Sequence, residues 1–292
     1  MPGDALGDIR FGSPTAEHYR NEIELPFFRH HLKGQGAEPT TEATMFETGG
    51  NAWKTFDTWP PKGAEIKTLY FQADGGLSFT APTAGSASAG GFDEYVSDPA
   101  KPVPWSTETR TTQGHLWMIE DQRFAAARPD VLVYRTAPLT EDVVIAGPVI
   151  ASLFASTSGT DADWIVKLID VYPGDAPDNT PNPRGVRMGD FQMLLAGEVF
   201  RGKYRNSFAK PEPLVPNQPV KYEFDLRDRF HRFLKGHRMM VQVQSSWFPV
   251  IDRNPQTFVD IYKAQPSVFR KATHRVYRTP QRPSGVKVGV LK

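Results

Sequence analysis

Beyond about residue 44, apolar and polar positions alternate over short runs, cut by turns rich in Gly, Pro, Asp and Asn. A period of two over a few residues marks a strand with one buried face. Such runs fall at residues 44–47, 68–72, 77–80, 131–135, 149–155, 164–171, 191–200, 220–226, 238–244 and 286–291. Roughly eight to ten short strands without a long helical period predict a mainly β fold, a two-sheet β-sandwich of jelly-roll type. Residues 164–171 are apolar on both alternating sets, Trp164, Val166 and Leu168 on one and Ile165, Ile169 and Val171 on the other. That run is expected to be a central strand. Lys167 and Asp170 within it would be costly if buried alone, so each is expected to have a partner. Arg123 or Arg253 is the expected partner of Asp170.

The first thirty-odd residues follow a different period. Ser13-Pro14 suits a helix start, with serine as cap and proline in the first turn. Tyr19, Ile23, Phe27, Phe28 and Leu32 then recur at three-to-four spacing, and Gly34 can close the helix. Pro26 should kink it or split it in two. Only a dozen residues precede this aromatic face, too few to cover it, so its partner is expected to lie outside the chain.

The stretch at 236–256 draws several signals together. A strand-like run is followed by Trp247 and Phe248, then Pro249, which cannot donate to a ladder. Asp252, Arg253, Asn254 and Pro255 make a hydrogen-bonding turn. A strand running into a bulky aromatic pair reads as the edge of the sandwich where it meets another surface.

Composition narrows the functional classes. At 292 residues, with 39% hydrophobic and 23% charged residues, a packed core is expected and disorder is not. The net charge is +1 and no basic stripe is visible, which argues against a nucleic-acid surface. No apolar run approaches the roughly 20 residues of a membrane helix, and the first dozen residues lack a signal-peptide pattern. With no cysteine, thiolate catalysis, disulfides and Cys-ligated zinc are excluded. The compartment stays open.

No self-contained active site emerges. Ser86-Ala87-Ser88-Ala89-Gly90 lacks the first glycine of a nucleophile elbow and reads as a flexible loop. The histidines, His18, His30, His31, His115, His231, His237 and His274, show no metal-binding spacing; His30 and His31 point about 100° apart on a helix. Asp161 and Asp163 would share one side of an extended segment and could help hold calcium, though such pairs more often cap a turn. Glu120-Asp121 is the other sharp acidic pair. Trp53, Trp59, Trp105, Trp117 and Trp247 lie near turns; they fit packing between sheets and loops better than a ligand surface. No cofactor and no metal site is indicated.

Several stretches nevertheless carry a resemblance: LPFFRHHLKG at 25–34, FETGGNAW at 46–53, WPP at 59–61, EYVSDPAKPVP at 94–104, DQRFAAARPDVLVY at 121–134, GTDADWIVKLIDVYP at 159–173 and GHRMMVQVQSSWFPVIDRNPQ at 236–256. In these the chain resembles the C-terminal part of the CocE/NonD serine hydrolases, in the α-amino acid ester hydrolase branch, and more distantly the X-Pro dipeptidyl-peptidase C-terminal domain. The resemblance implies a galactose-binding-like jelly roll over 37–292, preceded at 1–36 by the last helix of an α/β-hydrolase domain. It implies acyl transfer to or hydrolysis of α-amino acid esters or amides by the complete enzyme. The family's serine elbow and acid would precede this chain, and its histidine would fall just before the part matched by residues 6–12, so no catalytic residue is carried over. The implied partner is a missing or separately encoded α/β-hydrolase domain, with a homo-oligomer as a further arrangement. Tyr19, Ile23, Phe27 and Phe28 on the helix, with Trp247, Phe248, Asp252, Arg253 and Asn254, are the candidate docking residues. The rival expectation is an autonomous carbohydrate- or ligand-binding jelly roll, using Trp105 or Trp247.

Overall fold

A computed structural model describes residues 2–38, 41–83, 89–108, 114 and 116–292; Ser86, Ser88 and His115 lie outside them. In chain order the strands are β1 (Ala5–Leu6), β2 (Ile9–Arg10), β3 (Ala43–Glu47), β4 (Ala52–Phe56), β5 (Ala64–Phe71), β6 (Leu77–Ser78), β7 (Phe92–Ser97) and β8 (Leu132–Arg135). They continue with β9 (Val143–Thr157), β10 (Asp163–Val171), β11 (Gln192–Arg201), β12 (Val220–Phe233), β13 (Arg238–Gln244), β14 (Ala272–Thr279), β15 (Arg282–Pro283) and β16 (Gly285–Leu291). One sheet has the order β11-β10-β13-β8. The larger runs β15-β14-β9-β16-β5-β6, with β12 also paired to β9 and β7 to β14. Two ribbons, β1-β2 and β3-β4, stand apart from the sheets.

The two sheets make a β-sandwich, and β10 shows why its sequence is apolar throughout. Trp164, Val166 and Leu168 join Leu153, Tyr222, Val286 and Val288 in the core between the sheets. Ile165, Ile169 and Val171 face the other way, into a second cluster with Trp105, Met240 and Trp247. Loops cover the outer face of the small sheet, so both sides of β10 are buried, as a central strand requires. Polar side chains hid β7 and β14 from the hydrophobic pattern; β14 carries His274 and Arg278 on its buried face beside Ala272 and Val276. β9 and β12 also run past the expected 149–155 and 220–226, across a register shift between Asp225 and Asp228. Opposite that shift, Gly147 has φ 107°, and a Cβ there would meet the Pro60 ring at 2.8 Å.

One expectation about 236–256 is overturned. β13 is not an edge strand, because it pairs with β10 on one side and β8 on the other. β11 is an edge, and its exposed backbone is guarded by its own neighbours. Arg229 Nε donates to the Leu195 carbonyl at 2.5 Å, and the Val199 amide donates to Glu198 Oε1 at 3.0 Å. Such side-chain caps keep an edge from recruiting another strand.

The N-terminal helix departs from expectation at its start and at its proline. α1 (Thr15–His18) is N-capped by Pro14 with no side-chain cap bond, so Ser13 does not cap. Instead, the Ala16 amide donates to the Pro2 carbonyl at 2.9 Å. Pro26 does not break the helix, because a π-helical turn over Tyr19–Glu24 leads into α2 (Leu25–Lys33). Widening the turn relieves the clash between the proline ring and the carbonyl four residues back. Gly34, at φ 61°, closes α2 as expected, with Gly34 N–H bonded to His30 O and Gln35 N–H to Arg29 O. Among the described residues, no helix is long and apolar enough to cross a membrane.

Candidate domain-docking surface

The helix turns its aromatic face to solvent. Tyr19 is 47% exposed, Phe27 46%, Phe28 49% and Leu32 75%, while Ile23 is half-buried. Among the described residues no element of the sandwich folds over this face, and the helix meets the body at its first turn. His18 stacks on Trp53 of β4 at 4.7 Å, Trp53 meets Phe46 of β3 at 5.4 Å, and Phe46 meets Phe11 at 5.7 Å. The His18–Trp53 stack thus ties the first turn of the helix to the β3-β4 ribbon, and Phe46 extends the ring ladder to Phe11.

The ribbon is in turn pinned to the body. Arg232 Nε and Lys54 Nζ donate to the buried Glu47 carboxylate at 2.8 and 2.9 Å. Burial works against that charge, but the two cations outweigh it and hold Glu47 below the usual carboxylate range. At the tip of β3, Thr48 Oγ1 lies 2.8 Å from His231 Nδ1, and His231 Nε2 lies 3.3 Å from Asp170 Oδ2. His237 Nδ1 reaches Asp170 Oδ1 at 2.9 Å. Burial opposes the Asp170 charge too, and the bonds from both imidazoles hold its carboxyl below the ordinary value. An ionised carboxylate only accepts, so both nitrogens facing it carry hydrogen. The Thr48 hydroxyl also donates to the Phe230 carbonyl at 3.2 Å. A buried polar chain therefore runs from β10 through β12 to the ribbon that carries the helix. Arg123 and Arg253 are not partners of Asp170, contrary to expectation: Arg123 pairs with Asp121 and Arg253 donates to the Pro99 carbonyl. No short motif could have revealed this cluster, since its members come from two strands, a turn and a ribbon.

Beside the ribbon lies a groove of about 530 Å³, walled by Phe11, Met45, Phe46, Trp117, Met118 and Leu195. Phe46 thus belongs both to the groove and to the ring ladder that reaches the helix.

The five candidates after β13 do not form one surface. Trp247 is buried, 5.5 Å from Trp117, with the Lys167 amine 4.8 Å from its ring. Asn254 is buried and donates to Asp163 Oδ1 at 2.8 Å. Both serve the chain's own packing, so the docking role expected for them is corrected. Asp252 is half-buried against Arg201, 2.6 Å away. Phe248 and Arg253 remain exposed, with the guanidinium 5.8 Å from the Phe248 ring and 5.5 Å from that of Phe269. Trp105 is 6% exposed and packs against Trp117, so neither it nor Trp247 offers a free ring face to a sugar.

The acidic pair takes the bonding role. Asp161 Oδ1 accepts from the backbone of Ala162 and Lys203, and Arg201 makes two bonds to Asp163. Burial, and then the Asp163 charge, push Asp161 up to about 6. Among the described residues no three His, Asp or Glu side chains gather in a way that could hold a metal ion.

The sequence profile described as the X-Pro dipeptidyl-peptidase C-terminal non-catalytic domain matches residues 35–287. The chain belongs to that family. Within it, the chain is the C-terminal part of a CocE/NonD hydrolase architecture. It is 45% identical to an aminopeptidase from a marine sediment Thaumarchaeota archaeon, covering 100% of this chain and 47% of that one at a TM-score of 0.91. It is also 45% identical to a selenomethionine-labelled α-amino acid ester hydrolase, covering 99% of this chain and 47% of the other at a TM-score of 0.89. Cocaine esterase of Rhodococcus sp. is 30% identical over 91% of this chain and 45% of its own length. The chain therefore spans about half the length of the relatives it matches.

Proposed function

We propose that this non-catalytic domain docks onto an α/β-hydrolase catalytic part through the helix face and the adjoining groove, and shapes the site where that part works. The reaction of the assembled enzyme is acyl transfer through a serine ester, on α-amino acid esters or amides. The observation that carries this reading is an aromatic helix face left open by the described residues, on a helix whose first turn is stacked on the β3-β4 ribbon through His18 and Trp53. An exposed apolar face of this kind marks a contact surface. Four aromatic or aliphatic side chains, each with about half its surface still to bury, would contribute on the order of 3–6 kcal/mol. Relatives about twice the length of this chain, named as an ester hydrolase, an esterase and an aminopeptidase, support a hydrolase as the occupant. Residues 1–36 are then the helix shared with the hydrolase layer, and 37–292 the sandwich that braces it. Phe248 and Arg253, exposed at the other end of β13, are the remaining docking candidates.

The test mixes the purified chain with the isolated hydrolase half of the 45%-identical α-amino acid ester hydrolase. Complex formation is followed by light scattering and activity on phenylglycine methyl ester. A complex that Phe27→Asp with Phe28→Asp abolishes is expected. Self-association blocked by the same pair of changes would instead assign the face to a second copy of this chain. Esterase activity or fluorophosphonate labelling of the chain alone would overturn the non-catalytic reading.

A further inference from the structure

Lys167 lies midway along β10, opposite Gly197 of β11 and Gln242 of β13, and its side chain is completely buried. A buried lysine ordinarily answers to a carboxylate. Among the described residues, the charged groups on the surrounding elements are engaged elsewhere. Glu120 accepts from Thr107, Asp121 pairs with Arg123, Glu198 with Arg227, and Asp252 with Arg201, while Arg238 donates to the Thr136 carbonyl. The amine donates instead to Gln122 Oε1 at 2.8 Å and lies 4.8 Å from the Trp247 ring. Gly197 makes room for that ring: a Cβ there would stand 3.0 Å from it. Across the ladder, Gln242 Oε1 is buried with no hydrogen-bond partner. Its Nε2 makes only long contacts, 3.3 Å to Gln122 O and 3.5 Å to Gln192 Oε1.

We propose that Lys167, Gln122, Gln242 and Trp247 form a proton-responsive cradle that couples the charge of one amine to the seating of Trp247 and Trp117 on the small sheet. A neutral amine has two N–H groups and a lone pair; an ammonium has three N–H groups and no acceptor. Gln122 Oε1 and the face of Trp247 satisfy the two N–H groups of the neutral form. The third, gained on protonation, needs an acceptor, and the orphaned Gln242 Oε1 supplies it when the amide turns. Protonation also strengthens the pull of the Trp247 ring, since a desolvated cation over an indole face is attracted to it. Trp117 packs against Trp247 and lines the groove, so the change is felt at the proposed docking surface. Burial alone lowers the amine to about 7, which places the exchange in the neutral range.

The experiment is an NMR titration of the 292-residue chain between pH 5 and about 9.5. Labelled lysine Cε and tryptophan indole resonances are followed together. One lysine signal is expected to titrate near neutrality, with the Trp247 indole moving at the same midpoint. The indole shift should vanish in Lys167→Met and persist in His237→Gln. Gln242→Leu, which removes the third acceptor, should move the lysine midpoint lower. The proposal fails if every lysine stays an ammonium through pH 9, a measurement that needs no variant. It fails equally if the indole shift survives Lys167→Met, or if Gln242→Leu leaves the midpoint where it was. None of these results depends on the hydrolase partner.

Discussion

The inner face of β10 and the outer face of the α1–α2 helix are both written as aromatic and aliphatic residues at regular spacing, but they meet opposite fates. Trp164, Val166 and Leu168 are fully buried between the sheets, while Phe27 and Phe28 stay about half exposed. The periodicity reports which side of an element is apolar. It does not report what covers that side. A strand recruits its cover from sheets that other segments of the same chain, before and after it, supply. This helix meets the sandwich's ribbon through the His18–Trp53 stack in its first turn, which leaves its apolar stripe for another surface.

Point variants can break this comparison. The largest effect is expected from Trp164→Ala, which should cost about 3–5 kcal/mol in urea unfolding, as large-to-small changes in a sealed core do. A cost below about 1 kcal/mol would mean the sheets close over the gap. Asp170→Asn should cost on the order of 3 kcal/mol near neutral pH, because two buried imidazole donors lose their carboxylate. The Asp170 carboxyl is held below its ordinary 3.8, so its contribution is present above that value and is lost as pH falls through the lower folded value. The gap between wild type and Asp170→Asn should therefore narrow in strong acid, which unfolding at several pH values checks.

Lys167→Met should act in the opposite direction. Between about 7 and 10.5 the unfolded chain holds a proton that the folded chain releases, so wild-type stability rises with pH across that window. The methionine variant should exceed wild type by on the order of 2–4 kcal/mol at and below neutrality. That advantage should fade towards pH 10, and a constant advantage would mean that packing rather than charge sets it. The smallest effect belongs to Phe28→Ala, within about 0.5 kcal/mol for the isolated chain. A larger loss would show that the helix face is already covered in solution, and it would dissolve the contrast with β10.

Much of the fold could be read beforehand, in uneven ways. The double apolar pattern of 164–171 identified the central strand, and Gly34 closed the helix where expected. Strands β7 and β14 escaped notice because polar side chains on their buried faces, Ser97, His274 and Arg278, broke the alternation. At Pro26 the residue alone predicts a kink or a split; what the chain adopts is a π-helical turn over Tyr19–Glu24 that leads into α2. Of the candidate docking residues, the helical ones stand where a partner can reach them, while Trp247 and Asn254 were claimed by the chain's own interior.

By itself the sequence determined the class of the fold, most of the strand segments, the apolar face of the helix and the family, all of which rest on local periodicity or on residue strings. Tertiary structure alone decided that β13 lies inside its sheet, that Asp170 answers to two histidines, and that Lys167 has amides and a ring in place of a carboxylate. Those outcomes depend on which distant strands and loops become neighbours. A side chain's charge and solvation are set by the neighbours it acquires on folding, and spacing along the chain carries no record of them.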